Sequence, residues 1–379
     1  ISMVDLRHFP LGARDQEAER LARMETEKPF DLAVGPLFRL SIYQLDESSH
    51  IFVLVVHHMI ADGWSVALLG HDLHTFYAAE VDTASQTQAF PKPKTRYTDY
   101  SRWQQTALKG AVFQDDLRYW TKHLANAPRV LNLPLDRPRP PIPSYRGGRF
   151  EFLLDEVKTA KLRKLSRQAG ASLYMLLLAA SGILLARQAR ENCVTIGCPV
   201  AGRDREEWAT VVGCFINTLA LKVDLAGDPT FTELLSRVRE TAFAAFEHQN
   251  TPFEQVVEVL QPERDLSRNP LVQVSVGLHN APGQSPLTAF PLPGLKATPI
   301  NLGAGTVRFD LELDIWEVED GLHLRLQYAL DLFDDSTAAR IAAELEVLLG
   351  EIADNAERPV SQLPLLTLDQ RHALLSSAN

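Results

Sequence analysis

The sequence predicts a mixed α/β (α+β) fold, with sheets that carry packed helices, over a chain long enough for two lobes. Three observations predict it. Short strand-like apolar runs are interspersed with longer segments whose apolar residues recur at i, i+3 and i+4. The two kinds follow no strict strand–helix–strand alternation, so a doubly wound parallel sheet is not expected. No glycine-rich phosphate loop joins a strand to a helix.

At 379 residues the chain can form two lobes or one large domain, and 45% hydrophobic with 23% charged residues is ordinary for a soluble globular protein. A formal net charge of −10 speaks against nucleic acid, which favours a basic surface. No run reaches the roughly 18 apolar residues of a membrane helix, so no membrane is expected either. The chain opens ISMVDLRHFP, with no signal-peptide pattern and no initiator Met, and reads as a fragment. Three cysteines, Cys193, Cys198 and Cys214, are too few for a disulfide framework and point to a reducing, cytoplasmic setting. Cys198 and Cys214 stand among apolar residues and are expected to be buried. A Cys–His nucleophile pair is disfavoured, since no neighbouring positive charge or helix start would form a thiolate.

Residues 1–10 read as a strand or loop, and 14–24 as a helix with Glu17, Glu19 and Arg20 on its wet side. Pro29, Gly35 and Pro36 forbid a helix after it. Residues 37–45 alternate as a strand, 46–49 turn, and 51–56 (IFVLVV) form the second arm of a hairpin. The unbroken apolar run suits a strand buried on both faces. His57 and His58 follow directly, and strand alternation sends them to opposite faces. Asp62-Gly63 marks a turn. A helix over 66–79 then carries Val66, Leu69, Leu73, Phe76 and Tyr77 on one side.

An imidazole at the end of a rigid strand, beside a turn that opens to solvent, is a good place for a base. His58 is the candidate, with His57 beside it and Asp62 to anchor the turn or orient the ring. Two other chemistries use the same letters. A zinc site could draw on His57, His58 and Asp62, although adjacent strand residues diverge where zinc histidines usually share a face. A Ser65–His–Asp triad is conceivable, but no G-x-S-x-G pattern surrounds Ser65.

Residues 81–94 (VDTASQTQAFPKPK) break all periodicity and read as a linker. A helix opens at Tyr97 with Asp99 near its start, and a second carries Phe113, Leu117, Trp120 and Leu124. Residues 133–148 are too proline-rich for a regular element. A strand over 149–154 leads to an amphipathic helix over 155–169, ended by Gly170. Ser172 caps the next helix (LYMLLLAASGILLARQ), which is apolar nearly all round and so buried. Residues 193–200 form another buried strand, followed by a charged loop with Arg203. An alternating strand over 219–225 precedes a helix over 231–246, which ends near His248. A strand over 271–279, a loop, a hairpin of 308–316 with 322–328, and a helix over 336–353 complete the chain.

HHMIADGWS, residues 57–65, resembles the active-site motif of the condensation domains of nonribosomal peptide synthetases, in the chloramphenicol-acetyltransferase-like superfamily. Related epimerization domains continue as Asp-Gly-x-Ser-Trp, whereas here Asp62-Gly63-Trp64-Ser65 favours condensation. Heterocyclization domains replace the first histidines with Asp. Further segments resemble the family in its order: PFDLAVGPLFR, YTDYSRWQ, LPLDRPRP, VGCFINT, HQNTPFE with Asn250 where Asp is usual, and RDLSRNPL.

The resemblance implies two chloramphenicol-acetyltransferase-like lobes in a V-shaped pseudo-dimer with a tunnel between them. The family's opening motifs are missing, so the first lobe is expected to be N-terminally truncated. The implied partition is an incomplete N-terminal lobe over 1–80, a linker over 81–94, a C-terminal lobe over 95–358, and a linker over 359–379 toward an adenylation domain. The implied reaction joins an upstream aminoacyl or peptidyl thioester to the amine of a downstream aminoacyl thioester. Both ride on 4'-phosphopantetheine arms of peptidyl carrier proteins, with no metal and no tightly bound cofactor. The implied catalytic residues are His58, His57, Asp62 and Gly63, supported by Arg203, Trp64, Asn217 and His248. Arg203 is expected to pair with Asp62; out of water, losing one partner would cost about 3–5 kcal/mol. His248 could alternatively serve the macrodipole at a helix end. Competing functions on this fold are a docking module without catalysis, whose known examples have lost the histidine motif, and an acyl-CoA-dependent acyltransferase.

Overall fold

The structure is a computed structural model that describes residues 1–81, 94–261, 263, 265–280, 292–300, 302, 305–367 and 370–372. By contacts the chain groups into two units that interleave along the sequence. Unit 1 is Ile1–Ser101, Arg203–Phe215 and Ala281–Gly303; unit 2 is Arg102–Gly202, Ile216–Asn280 and Ala304–Asn379. The expected chain-order partition treats these segments as continuous runs. Its linker at 81–94 lies, for 82–93, outside the described residues.

Unit 1 holds a three-stranded sheet in the order β1 (Ser2–Asp5), β2 (Phe38–Gln44), β3 (His50–Val56). β2 and β3 form the expected antiparallel hairpin, with Phe38 opposite Val56, while β1 runs parallel to β2. α1 (Leu11–Glu27) packs Ala18 and Ala22 onto this sheet with Leu6, Tyr43, Ile51 and Val53. β3 corrects an expectation. Among the described residues it pairs with β2 alone, and its burial alternates, leaving Phe52 49% and Leu54 38% exposed. The continuous apolar run is an edge strand with one face on the core, not a strand buried on both faces. α2 (Gly63–Val81) follows, starting three residues earlier than its periodicity predicts, and α3 (Tyr97–Ala107) begins in this unit.

Unit 2 is built on a six-stranded mixed sheet in the order β4-β9-β8-β7-β5-β6. Its elements in chain order are α4 (Ala111–Leu124), β4 (Gly147–Asp155), α5 (Glu156–Gln168), α6 (Leu173–Ala189), β5 (Cys193–Val200), β6 (Asn217–Asp224), α7 (Phe231–Glu247), α8 (Phe253–Leu260), β7 (Val274–His279), β8 (Leu311–Val318), β9 (Gly321–Ala329) and α9 (Asp335–Asp354). α6 is the buried helix its composition predicts, with Leu176, Leu177, Leu178 and Ile183 in the core. Ser172 Oγ accepts the Met175 N–H at 3.2 Å, which caps it as expected. Gly182 lets α6 approach β6 closely, because a Cβ there would lie 2.5 Å from the Val223 side chain. The β8–β9 hairpin closes through two residues onto Gly321, whose φ of +134° is a glycine conformation. α8 was not expected, although Phe253, Val256, Val257 and Leu260 carry a helical spacing after Pro252. The first residues of the expected terminal linker dock on this unit: Val360 N–H donates to the Pro229 carbonyl at 2.9 Å, and Leu363 is buried.

No single helix among the described residues is long and apolar enough to cross a membrane; α5 and α6 pass that test only jointly, across a 104° bend.

Candidate active site

β3 delivers the chain to the histidines as a rigid arm. His57 and His58 lie just past its end, in a turn where His57 N–H donates to the Leu37 carbonyl at 2.9 Å and Ile60 N–H to the His57 carbonyl at 3.1 Å. They are not strand residues, yet the rings diverge. His57 is half-buried; Nδ1 accepts the Met59 N–H at 3.1 Å, and the ring meets Phe30 edge-on with centroids 5.8 Å apart. His58 is exposed, and its Nδ1 lies 3.7 Å from Cys214 Sγ.

Asp62 ends the turn and starts α2. Its Oδ1 accepts the Ser65 N–H at 2.8 Å, three residues on, which is helix capping. This is why α2 begins at Gly63. The same oxygen lies 3.1 Å from Arg203 Nη2, and Oδ2 accepts the Phe215 N–H at 3.0 Å. The two side chains are 3% and 2% exposed, so the ion pair is out of water. Arg203 also donates through Nη1 to the carbonyls of Trp208 (2.6 Å) and Val211 (2.7 Å), and through Nη2 to Ser65 Oγ (3.0 Å). Its guanidinium lies 4.0 Å from the Phe215 ring centroid. Burial pulls the Arg203 guanidinium below its ordinary value, and the Asp62 charge opposes that shift.

Ser65, weighed above as a nucleophile, is fully buried. Its Oγ donates to the Gly213 carbonyl at 2.8 Å and accepts the Gly213 N–H at 3.0 Å, so it staples two segments and faces no substrate. Trp64 Nε1–H donates to the Ala209 carbonyl at 2.9 Å. Gly63 is exposed at the first position of α2.

The fold thus brings His58, Asp62, Gly63, Trp64 and Arg203 together within unit 1. Asn217 and His248 belong to unit 2. Asn217 bridges the carbonyls of Gln249 (2.8 Å) and Thr251 (2.7 Å) and accepts the Phe253 N–H at 3.0 Å, which fixes the start of α8. His248 Nδ1 is 2.6 Å from Asp116 Oδ1, and its ring stacks on Tyr119 at 4.1 Å.

Cys214 was expected to be buried and inert; it is half-buried and beside the candidate base. Its position follows from neighbours the sequence alone does not join to it. Tyr97 Oη–H donates to the Cys214 carbonyl at 2.7 Å. Gly213 has no room for a side chain, since a Cβ would come 2.1 Å from the Tyr97 ring. No group of three or more His, Cys, Asp or Glu side chains able to hold a metal ion exists among the described residues.

Chemically, the arrangement presents one exposed imidazole on a turn that a buried ion pair and a helix cap hold rigid. Such a ring can accept or donate a proton to a substrate.

Comparison with known proteins adds to this geometry. The family model described as Condensation domain matches residues 1–375. The chain is 38% identical over 381 residues to one of the linear gramicidin synthase subunits of Brevibacillus parabrevis, covering all of this chain and 5% of that protein. The X-domain from teicoplanin biosynthesis, solved in complex with OxyB, is 30% identical with a TM-score of 0.84, over 97% of this chain and 79% of that one. A four-domain nonribosomal peptide synthetase solved with AMP and glycine is 27% identical with a TM-score of 0.84, over 97% of this chain and 28% of that one.

Proposed function

The chain belongs to the condensation-domain family, and we propose that it forms an amide bond between two thioester-borne substrates with His58 as the working side chain. The donor is an aminoacyl or peptidyl thioester on the phosphopantetheine arm of an upstream carrier protein. The acceptor is the amine of an aminoacyl thioester on a downstream carrier. Relatives that are large synthetase subunits, of which this chain spans a small part, support reading it as one domain beside carrier and adenylation domains. The reading takes the enzyme to work in the cytoplasm.

The observation that carries the proposal is the exposed His58 ring at the end of a clamped turn. A thioester is already activated, so the chemistry needs no metal. Bringing two tethered reactants together can remove up to about 7–11 kcal/mol of the barrier. What remains is a proton on the attacking nitrogen and negative charge on the thioester oxygen. His58 takes the proton or hydrogen-bonds the reacting groups. Asp62, Arg203 and Trp64 touch no substrate in this account and act by holding the turn. Gly63, at the start of α2, and His57 complete that turn. Asn217 and His248 act within unit 2, where Asn217 fixes the start of α8 and His248 meets Asp116.

A second reading, recruitment of a partner enzyme, draws on the likeness to the X-domain solved with OxyB. The intact HHMIADG stretch and the exposed ring favour catalysis. The test supplies two loaded carrier proteins and follows the downstream carrier by intact-protein mass spectrometry. Dipeptidyl thioester is the expected product. No product, or product from acyl-CoA but not from a loaded carrier, contradicts the proposal.

A further inference from the structure

We propose that Cys214 is a positioning residue for His58: its sulfur holds the Nδ1 edge of the imidazole, so that Nε2 meets the substrates with its lone pair. The proposal rests on the catalytic reading of His58 given above. The contact is a sulfur hydrogen-bond distance, 3.7 Å between Sγ and Nδ1.

The cysteine is fixed without help from the histidine. Gly213 before it is stapled to Ser65 by two bonds and accepts the Asp62 N–H at 3.3 Å. Phe215 after it donates its N–H to Asp62 Oδ2. The carbonyl of Cys214 itself accepts from Tyr97. Asp62 therefore anchors both partners: it caps the helix that follows the histidine turn, and it ties down the residue after the sulfur. A change in one cannot easily shift it relative to the other.

The direction of the hydrogen bond decides what His58 can do. A neutral imidazole carries one ring proton. With that proton on Nδ1, donated to Sγ, Nε2 is the acceptor. The acceptor amine then attacks the thioester carbon, its lone pair forms the C–N bond, and its proton passes to Nε2. The C–S electrons leave on the phosphopantetheine sulfur, which takes that proton from Nε2–H, and the ring is neutral again. If the thiol instead donated its S–H to Nδ1, the ring proton would sit on Nε2 and no lone pair would face the amine.

The test reads the tautomer directly, by NMR of the full chain with 15N-labelled histidine and His58→Ala to assign the signal. The expected result is a neutral His58 protonated on Nδ1 in the wild type and in Cys214→Ser, which keeps an acceptor, and a mixture of tautomers in Cys214→Ala. With the two carriers supplied, Cys214→Ala lowers kcat by roughly five- to tenfold, the worth of one weak hydrogen bond, with KM for the carriers unchanged. A wild-type ring protonated on Nε2, or a ring that Cys214→Ala leaves unaltered, overturns the proposal. The wild-type spectrum decides even if Cys214→Ala does not fold. Wild-type turnover by His58→Ala would end the catalytic reading and leave the tautomer result standing, so the two can fail separately.

Discussion

Each oxygen of the Asp62 carboxylate has two partners: Oδ1 takes the Ser65 N–H and Arg203, and Oδ2 takes the Phe215 N–H and Arg203. In water such contacts would be weak. Here both charges are almost wholly buried, so each depends on the other. Asp62→Ala leaves the Arg203 guanidinium buried without its counter-charge, and we expect a loss of about 3–5 kcal/mol in unfolding free energy. Denaturant titration measures it; a loss below about 1 kcal/mol, the level of a surface pair, would contradict the clamp. At this scale the histidines and Asp62 were legible, because a strand, two imidazoles and Asp-Gly form a local pattern. Asp62 as a helix cap was half-legible. Asp before a helix is a start signal, but Asp-Gly also signals a turn, and the turn reading placed the helix start too late. Cys214 was not legible beside His58, since 156 residues separate them and only the folded chain joins them.

Among the elements, β3 shows how an apolar run can mislead. Its composition is that of a doubly buried strand, but its place at the edge of a three-stranded sheet leaves alternate side chains half exposed. Composition reports what a segment tolerates, and neighbours decide what covers it. α8 failed in the opposite way: eight residues are too short for periodicity to stand out, although Asn217 and Pro252 mark its start. α4 carries a separate consequence. Burial pushes His123 down to about 4 from an ordinary 6.5, with the Lys222 charge adding to the shift and a hydrogen bond with the Ala220 backbone opposing it. The folded state therefore holds this ring neutral, while the unfolded chain binds a proton below 6.5. Its contribution to stability is full above pH 6.5 and is lost as pH falls toward 4. Carboxylates titrate over the same range, so the readout is a difference. The fall in Tm from pH 6.5 to 4 should be smaller in His123→Phe than in the wild type. Equal falls would show that His123 is not held neutral by the fold.

Over the whole molecule, the class was legible and the grouping of segments was not. Irregular mixing of helices and strands, with no phosphate loop, excluded a doubly wound sheet, and family-like segments in family order gave the rest. The units interleave because Arg203–Phe215 leaves the end of β5 and joins the contacts of residues 1–101 before the chain returns to β6. No local signal marks such an excursion, since it depends on which distant residues are available to pair with. Yet it brings Arg203 and Cys214 to the histidine turn, so the site exists only in the assembled fold. The central claim is that one exposed imidazole carries the amide-forming step. Its most direct test is the single-turnover rate of dipeptidyl thioester formation between two loaded carriers, for the wild type and for His58→Ala shown by circular dichroism to be folded. The account predicts a loss of roughly 10²–10⁴-fold, the usual worth of a general base. A folded His58→Ala protein that matches the wild-type rate would contradict it.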